Sequence, residues 1–197
     1  MCYTNILQIL DLAQIPLLAK ERERDMPFVI GGGPCTYNPE PLADFFDLFY
    51  IGEGETSYDA LLDLYKEWKK GDASREAFLH QAAKIPGIYV PSLYEVSYKE
   101  DGTLASMEPV YDDIPKKIEK QVVTELTASV YPDKPVVPFL KVTQDRVVLE
   151  VQRGCIRGCR FCQAGMIYRP LREKDVERLK RQADIMLKLS LIHISEP

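Results

Sequence analysis

Three cysteines fall within eight residues, Cys155, Cys159 and Cys162, spaced C-x3-C-x2-C in the stretch Arg153-Gly154-Cys155-Ile156-Arg157-Gly158-Cys159-Arg160-Phe161-Cys162. Thiolates this close together, in a chain with an odd total of five cysteines, form a metal-binding pattern rather than a disulfide framework. The number of donors is informative. Three thiolates leave a tetrahedral zinc one ligand short, and they leave one iron of a cubane iron-sulfur cluster open to an exchangeable ligand. Gly154 and Gly158 let the backbone curl round a bulky group and turn N–H groups toward its sulfurs. Arg153, Arg157 and Arg160 put positive charge beside a group that is anionic with its thiolates.

The segment CIRGCRFC resembles the C-x3-C-x-aromatic-C signature of the radical S-adenosylmethionine (radical SAM) superfamily, with Phe161 at the aromatic position. The resemblance implies that Cys155, Cys159 and Cys162 hold a 4Fe-4S cluster whose fourth iron chelates S-adenosylmethionine, and that Phe161 lies against the cofactor's adenine. It further implies reductive cleavage of the sulfonium to a 5'-deoxyadenosyl radical, with electrons from a reductant such as flavodoxin or ferredoxin. The substrate is not implied, because substrate contacts come from barrel parts beyond the matching residues. Two other readings stand beside it. A zinc-stabilised interaction module would need Cys35 or His80 as a fourth ligand, and a ferredoxin-like electron carrier would need a fourth nearby cysteine, which does not follow Cys162.

A second resemblance lies upstream. GGGPCTYNPEPLADFFDLFYIGEGE is similar to the second half of the cobalamin-binding-like domain that precedes the barrel in one subset of the superfamily. By that resemblance Gly31, Gly32, Gly33, Gly52, Glu53 and Gly54 are the residues that would face a corrin and its nucleotide tail. The D-x-H-x-x-G pattern that ligates cobalt does not occur; it would lie upstream of Met1, so cobalamin remains an open cofactor.

The elements that must carry these sites read as a mixed α/β chain of 197 residues. Apolar spacing over Thr4–Ile15 predicts a helix closed by Pro16. Pro27–Ile30 and Asp47–Ile51 read as short strands ending in glycine turns, with a helix over Pro39–Phe46 between them. Thr56 and Asp59 suggest a capping box for a helix bearing Tyr58, Leu61, Leu62, Tyr65 and Trp68. Ser74–Lys84 reads as a helix, and its His80 as an ordinary edge histidine. Gly87–Val90 reads as a strand, and Ser92–Tyr98 with Leu104–Val110 as a hairpin. Asp112–Pro138 reads as a linker, and Val147–Val151 as the strand that delivers the cysteine loop. A last helix carries Val176, Leu179, Ala183, Met186 and Leu187.

The expected fold class is therefore α/β: a partial doubly wound, cobalamin-binding-like domain over 1–72, a helix, hairpin and linker over 73–138, and the first βα unit of a radical SAM barrel over 139–189. Residues 190–197 read as a non-native tail, and the whole as a fragment that is inactive alone. The formal net charge of -5 argues against a general grip on nucleic acid or anionic membrane. Apolar runs fall short of the ~18 residues of a membrane span, and no signal peptide is visible. The expected compartment is the reducing cytoplasm.

Overall fold

Tyr3–Leu12 forms helix α1, which buries Leu10. It ends three residues before the predicted Ile15 because Gln14 takes a left-handed φ of 56°. The Ile15 amide then bonds the Leu10 carbonyl at 2.9 Å and the Gln14 amide bonds that of Asp11 at 3.0 Å, a Schellman closure with glutamine in the glycine position. The computed structural model describes residues 3–129, 131–132, 136 and 148–188. The chain divides into two compact units, residues 1–122 and 123–197.

In the first unit β1 (Ile30–Gly31) runs parallel to β2 (Leu48–Tyr50), and β2 pairs antiparallel with β3 (Ile88–Tyr89). The sheet is thus small and mixed, with β2 central and wholly buried. The helix expected over Pro39–Phe46 is a 3-10 turn at Glu40–Leu42. Pro39 and Pro41 have no amide hydrogen to donate, which favours a tight turn over a helix in so short a crossover.

Helix α2 (Tyr58–Lys70) and helix α3 (Arg75–Ala82) follow. The capping box is not formed: Ser57 occupies the cap position, no side chain caps α2, and Thr56 Oγ1 instead donates to the Glu53 carbonyl at 3.0 Å. Helix α3 is capped by Ser74, whose Oγ accepts from the Ala77 amide at 3.2 Å. Phe28, Tyr65, Trp68 and Phe78 make an aromatic cluster between these helices and the sheet.

One buried ionic group ties the unit together. Asp47 accepts from Arg22 at 2.8 Å and from Arg75 Nε at 3.2 Å, all three side chains being almost fully buried. The guanidinium groups also donate to backbone carbonyls, Arg22 to those of Pro16, Leu17 and Phe45, Arg75 to those of Met26 and Pro27. Arg75 also lies 3.8 Å over the Phe28 ring. A buried charge persists only with partners of this kind.

The hairpin forms as β4 (Tyr94–Tyr98) and β5 (Leu104–Pro109), with an irregularity at Ser97/Tyr98. Beyond it the chain stays on the first unit for a further ten residues or so. Ile114 is buried, the Tyr94 hydroxyl donates to the Pro115 carbonyl at 2.7 Å, and Ile118 packs against the core.

In the second unit β6 (Gln152–Arg153) pairs antiparallel with β7 (Arg172–Glu173). Helix α4 (Ala164–Ile167) and helix α5 (Val176–Leu187) complete it, α5 being capped by Asp175, which accepts from the Arg178 amide at 3.0 Å. The strand expected at Val147–Val151 is displaced. Val147 lies outside the described residues, Val148 and Val151 are exposed, and pairing begins only at Gln152. β7 offers a two-residue partner, and β-branched propensity cannot make a strand without a ladder to join. No barrel is present among the described residues, and residues 190–197 lie outside them. On α5 Met186 is buried, Leu179 and Ala183 are half-buried, and Val176 and Leu187 are exposed.

Candidate metal centre

The cysteine loop springs from β6 and returns through α4 to β7. Gly154 has a φ of 87°, and a Cβ there would fall 2.6 Å from the Tyr168 carbonyl oxygen and 2.5 Å from that of Pro170. Only glycine permits both the conformation and the approach. Arg172 braces the same place from below, with Nε donating to the Pro170 carbonyl (3.0 Å), Nη2 to Tyr168 (3.1 Å) and Nη1 to Val123 (2.7 Å). The loop's returning foot is held by one buried guanidinium.

Cys155, Cys159 and Cys162 are all free thiols. The Arg157 amide donates to Cys155 Sγ at 3.4 Å, and the Cys162 amide bonds the Cys159 carbonyl at 3.0 Å. Gly158 takes a φ of 64° between the first two cysteines. Among the described residues no three of His, Cys, Asp and Glu converge as a group that could hold an ion, so the thiols share a loop without meeting at a point. Phe161 is 93% exposed.

The donor set nevertheless fits a 4Fe-4S cluster. It comprises three unpaired thiols on one glycine-broken loop, with a backbone N–H already directed at a cysteine sulfur, the kind of bond that tunes such clusters. His80 takes another role, its Nε2 lying 3.2 Å from Asp113 Oδ1 and its ring packing edge-on to Tyr111.

Beside the loop, Glu150 receives Arg153 at 2.7 Å and forms an ion pair with the buried Lys174 at 3.0 Å. Lys174 Nζ also lies 4.2 Å over the Tyr131 ring. Burial opposes ionisation of Glu150, but the Arg153 and Lys174 contacts outweigh it and hold its carboxyl below the ordinary value. Sequence reasoning missed this group, although the spacing of Glu150 and Arg153 hinted at a local pair.

The upstream glycines serve distinct ends. Gly31 is small because the Phe49 ring lies 2.4 Å from where its Cβ would be, whereas Gly32 and Gly33 face open space. Gly31 and Gly32 border a cleft of about 270 Å³ with Tyr3, Ile6 and Cys35, below the ~300–1,000 Å³ of ordinary small-molecule sites. Gly52, with φ 125°, abuts Gln121: a Cβ would sit 2.2 Å from the Gln121 carbonyl oxygen. The Glu53 amide donates to that same oxygen at 2.9 Å. Gly54 accepts from the Tyr58 amide at 3.2 Å. With Gln121 seated on them, Gly52 and Glu53 do not present a surface that fits a corrin.

Residues 1–91 match the family described as radical SAM proteins, N-terminal. The chain is also 28% identical over 165 residues to an uncharacterized protein of the archaeon Methanocaldococcus jannaschii, a match covering 83% of this chain and 29% of that relative. The chain thus spans less than a third of the length of the relative it matches. No solved structure matches. No helix among the described residues is long and apolar enough to cross a membrane.

Proposed function

We propose that this chain contributes the cluster-binding segment of a radical SAM enzyme, with Cys155, Cys159 and Cys162 as the three protein ligands of a 4Fe-4S cluster. The observation that carries the reading is one of order. A segment matching the N-terminal domain of radical SAM proteins is followed in the same chain by three free thiols on a glycine-braced loop. When bound and reduced, the cluster supplies the electron that cleaves S-adenosylmethionine.

The chain's own residues hold and orient. Gly154 and Arg172 fix the loop's feet, the Arg157 amide directs a hydrogen bond at Cys155 Sγ, and exposed Phe161 offers its face to the adenine. Glu150 keeps Arg153 and Lys174 neutralised beneath the loop. Residues 1–72 are read as the back half of a doubly wound domain and 139–189 as the opening of the barrel. A flavodoxin or ferredoxin in the reducing cytoplasm would deliver the electron, and the substrate belongs to parts of the enzyme outside this segment.

The test is anaerobic reconstitution with iron and sulfide, reduction, and electron paramagnetic resonance with and without S-adenosylmethionine. A four-iron signal that shifts on adding the cofactor is expected. An unchanged signal would assign an electron-transfer role instead, and a colourless zinc protein would assign a structural one.

A further inference from the structure

Open α/β sheets bind ligands in the crevice beyond the carboxyl ends of their strands, where glycine turns expose backbone N–H groups. At the carboxyl end of β2 that place is already filled by the chain itself. Gln121 forms a parallel bridge with Gly52, its amide donating to the Ile51 carbonyl at 3.0 Å while its carbonyl accepts from the Glu53 amide at 2.9 Å. The fit is close on two sides. A Cβ on Gly52 would fall 2.2 Å from the Gln121 carbonyl oxygen, and a Cβ on Gly87 would fall 2.6 Å from Gln121 Cγ.

The neighbouring groups are taken as well. Thr36 Oγ1 reaches the Gly33 carbonyl at 2.7 Å and the Tyr50 carbonyl at 3.3 Å, bridging the two glycine turns. Lys120 lies over the Tyr37 ring, 6.0 Å from its centroid, and Gln121 Nε2 donates to the Glu119 carbonyl at 3.0 Å. The Glu53 amide and the Gly33, Tyr50 and Gly54 carbonyls are thus bonded within the chain.

We infer that residues 119–121 are an internal strap that closes the carboxyl end of β2, so that Gly52 and Glu53 hold the strap and take no corrin. Gly52 and Gly87 are glycines because backbone and side chain of Gln121 pass through the notch between them.

Hydrogen exchange on the full 197-residue chain tests it. The Glu53 and Gln121 amides are expected to exchange roughly 100-fold or more slower than an unstructured peptide, as ladder amides do. Saturating hydroxocobalamin should change neither rate and should not be retained in equilibrium dialysis. Gly52→Ala should speed both amides roughly tenfold or more while Glu95 in the hairpin, whose amide faces β5, keeps its protection; if that variant does not fold, the unsubstituted chain alone decides. Peptide-like exchange at Glu53 and Gln121, or stoichiometric retention of hydroxocobalamin, would overturn the strap.

Discussion

Gly154 and Pro170 meet backbone to backbone, so closely that a Cβ begun at Gly154 would lie 2.5 Å from the Pro170 carbonyl oxygen. The cysteine loop therefore closes on itself at its base before any metal is considered. Gly154→Ala must open that contact and also strain a residue at φ 87°, a cost of more than about 1 kcal/mol. Reconstituted Gly154→Ala is expected to hold less than about half the iron of the unsubstituted chain, because a displaced base misplaces Cys155. Full iron content by metal analysis would show that the base contact does not position the ligands.

Cys159→Ala removes one of three donors and should abolish the four-iron species altogether, since two thiolates cannot hold a cubane. Visible absorption after anaerobic reconstitution reads this directly. Cys35→Ala, in the other unit, should leave iron content unchanged; a loss there would instead support the zinc-type ligand set.

Phe161 is almost fully exposed, so Phe161→Ala should alter stability by no more than about 0.5 kcal/mol. Its expected effect is on the cofactor. The spectral shift caused by S-adenosylmethionine should need several-fold more cofactor, whereas the spectrum without cofactor stays the same.

Asp47 sits between two buried guanidinium groups. Asp47→Ala leaves both without their carboxylate, and breaking a buried ionic group in this way costs about 3–5 kcal/mol. Urea unfolding followed by Trp68, the chain's single tryptophan, reports on the same unit. A loss under about 1 kcal/mol would mean the carbonyl partners of Arg22 and Arg75 suffice.

Glu150 is held below its ordinary value in the folded chain: burial raises it, but Arg153 and Lys174 lower it further. A depressed folded value means that the stabilisation is present above the unfolded value of about 4.3 and is lost as pH falls through the folded one. The second unit should therefore lose thermal stability below about pH 4, and Glu150→Gln should flatten that acid limb while lowering stability at neutral pH. An unchanged acid limb in Glu150→Gln would remove Glu150 from the linkage.

Local patterns were legible in the sequence where one segment decides its own conformation. The periodicity of α1, α2 and α5 and the hairpin of β4 and β5 appear in the structure. What sequence reading missed depends on distant partners. Val148 and Val151 look like strand residues, yet Val151 touches the ladder only through its carbonyl, which accepts from the Lys174 amide at 2.9 Å, and the strand forms at Gln152 and Arg153 opposite β7. Gln121 looked like linker, because nothing nearby announces that Gly52 and Gly87 leave a notch for it. The candidate cysteines were found from spacing alone, while their support by Arg172 joins residues 49 positions apart and has no short-range signature.

The most direct measurement is the iron and acid-labile sulfide content of chain purified and reconstituted without oxygen. About four irons and four sulfides per chain are expected from a cubane on three thiolates. Iron-free protein carrying one zinc would contradict the assignment of Cys155, Cys159 and Cys162.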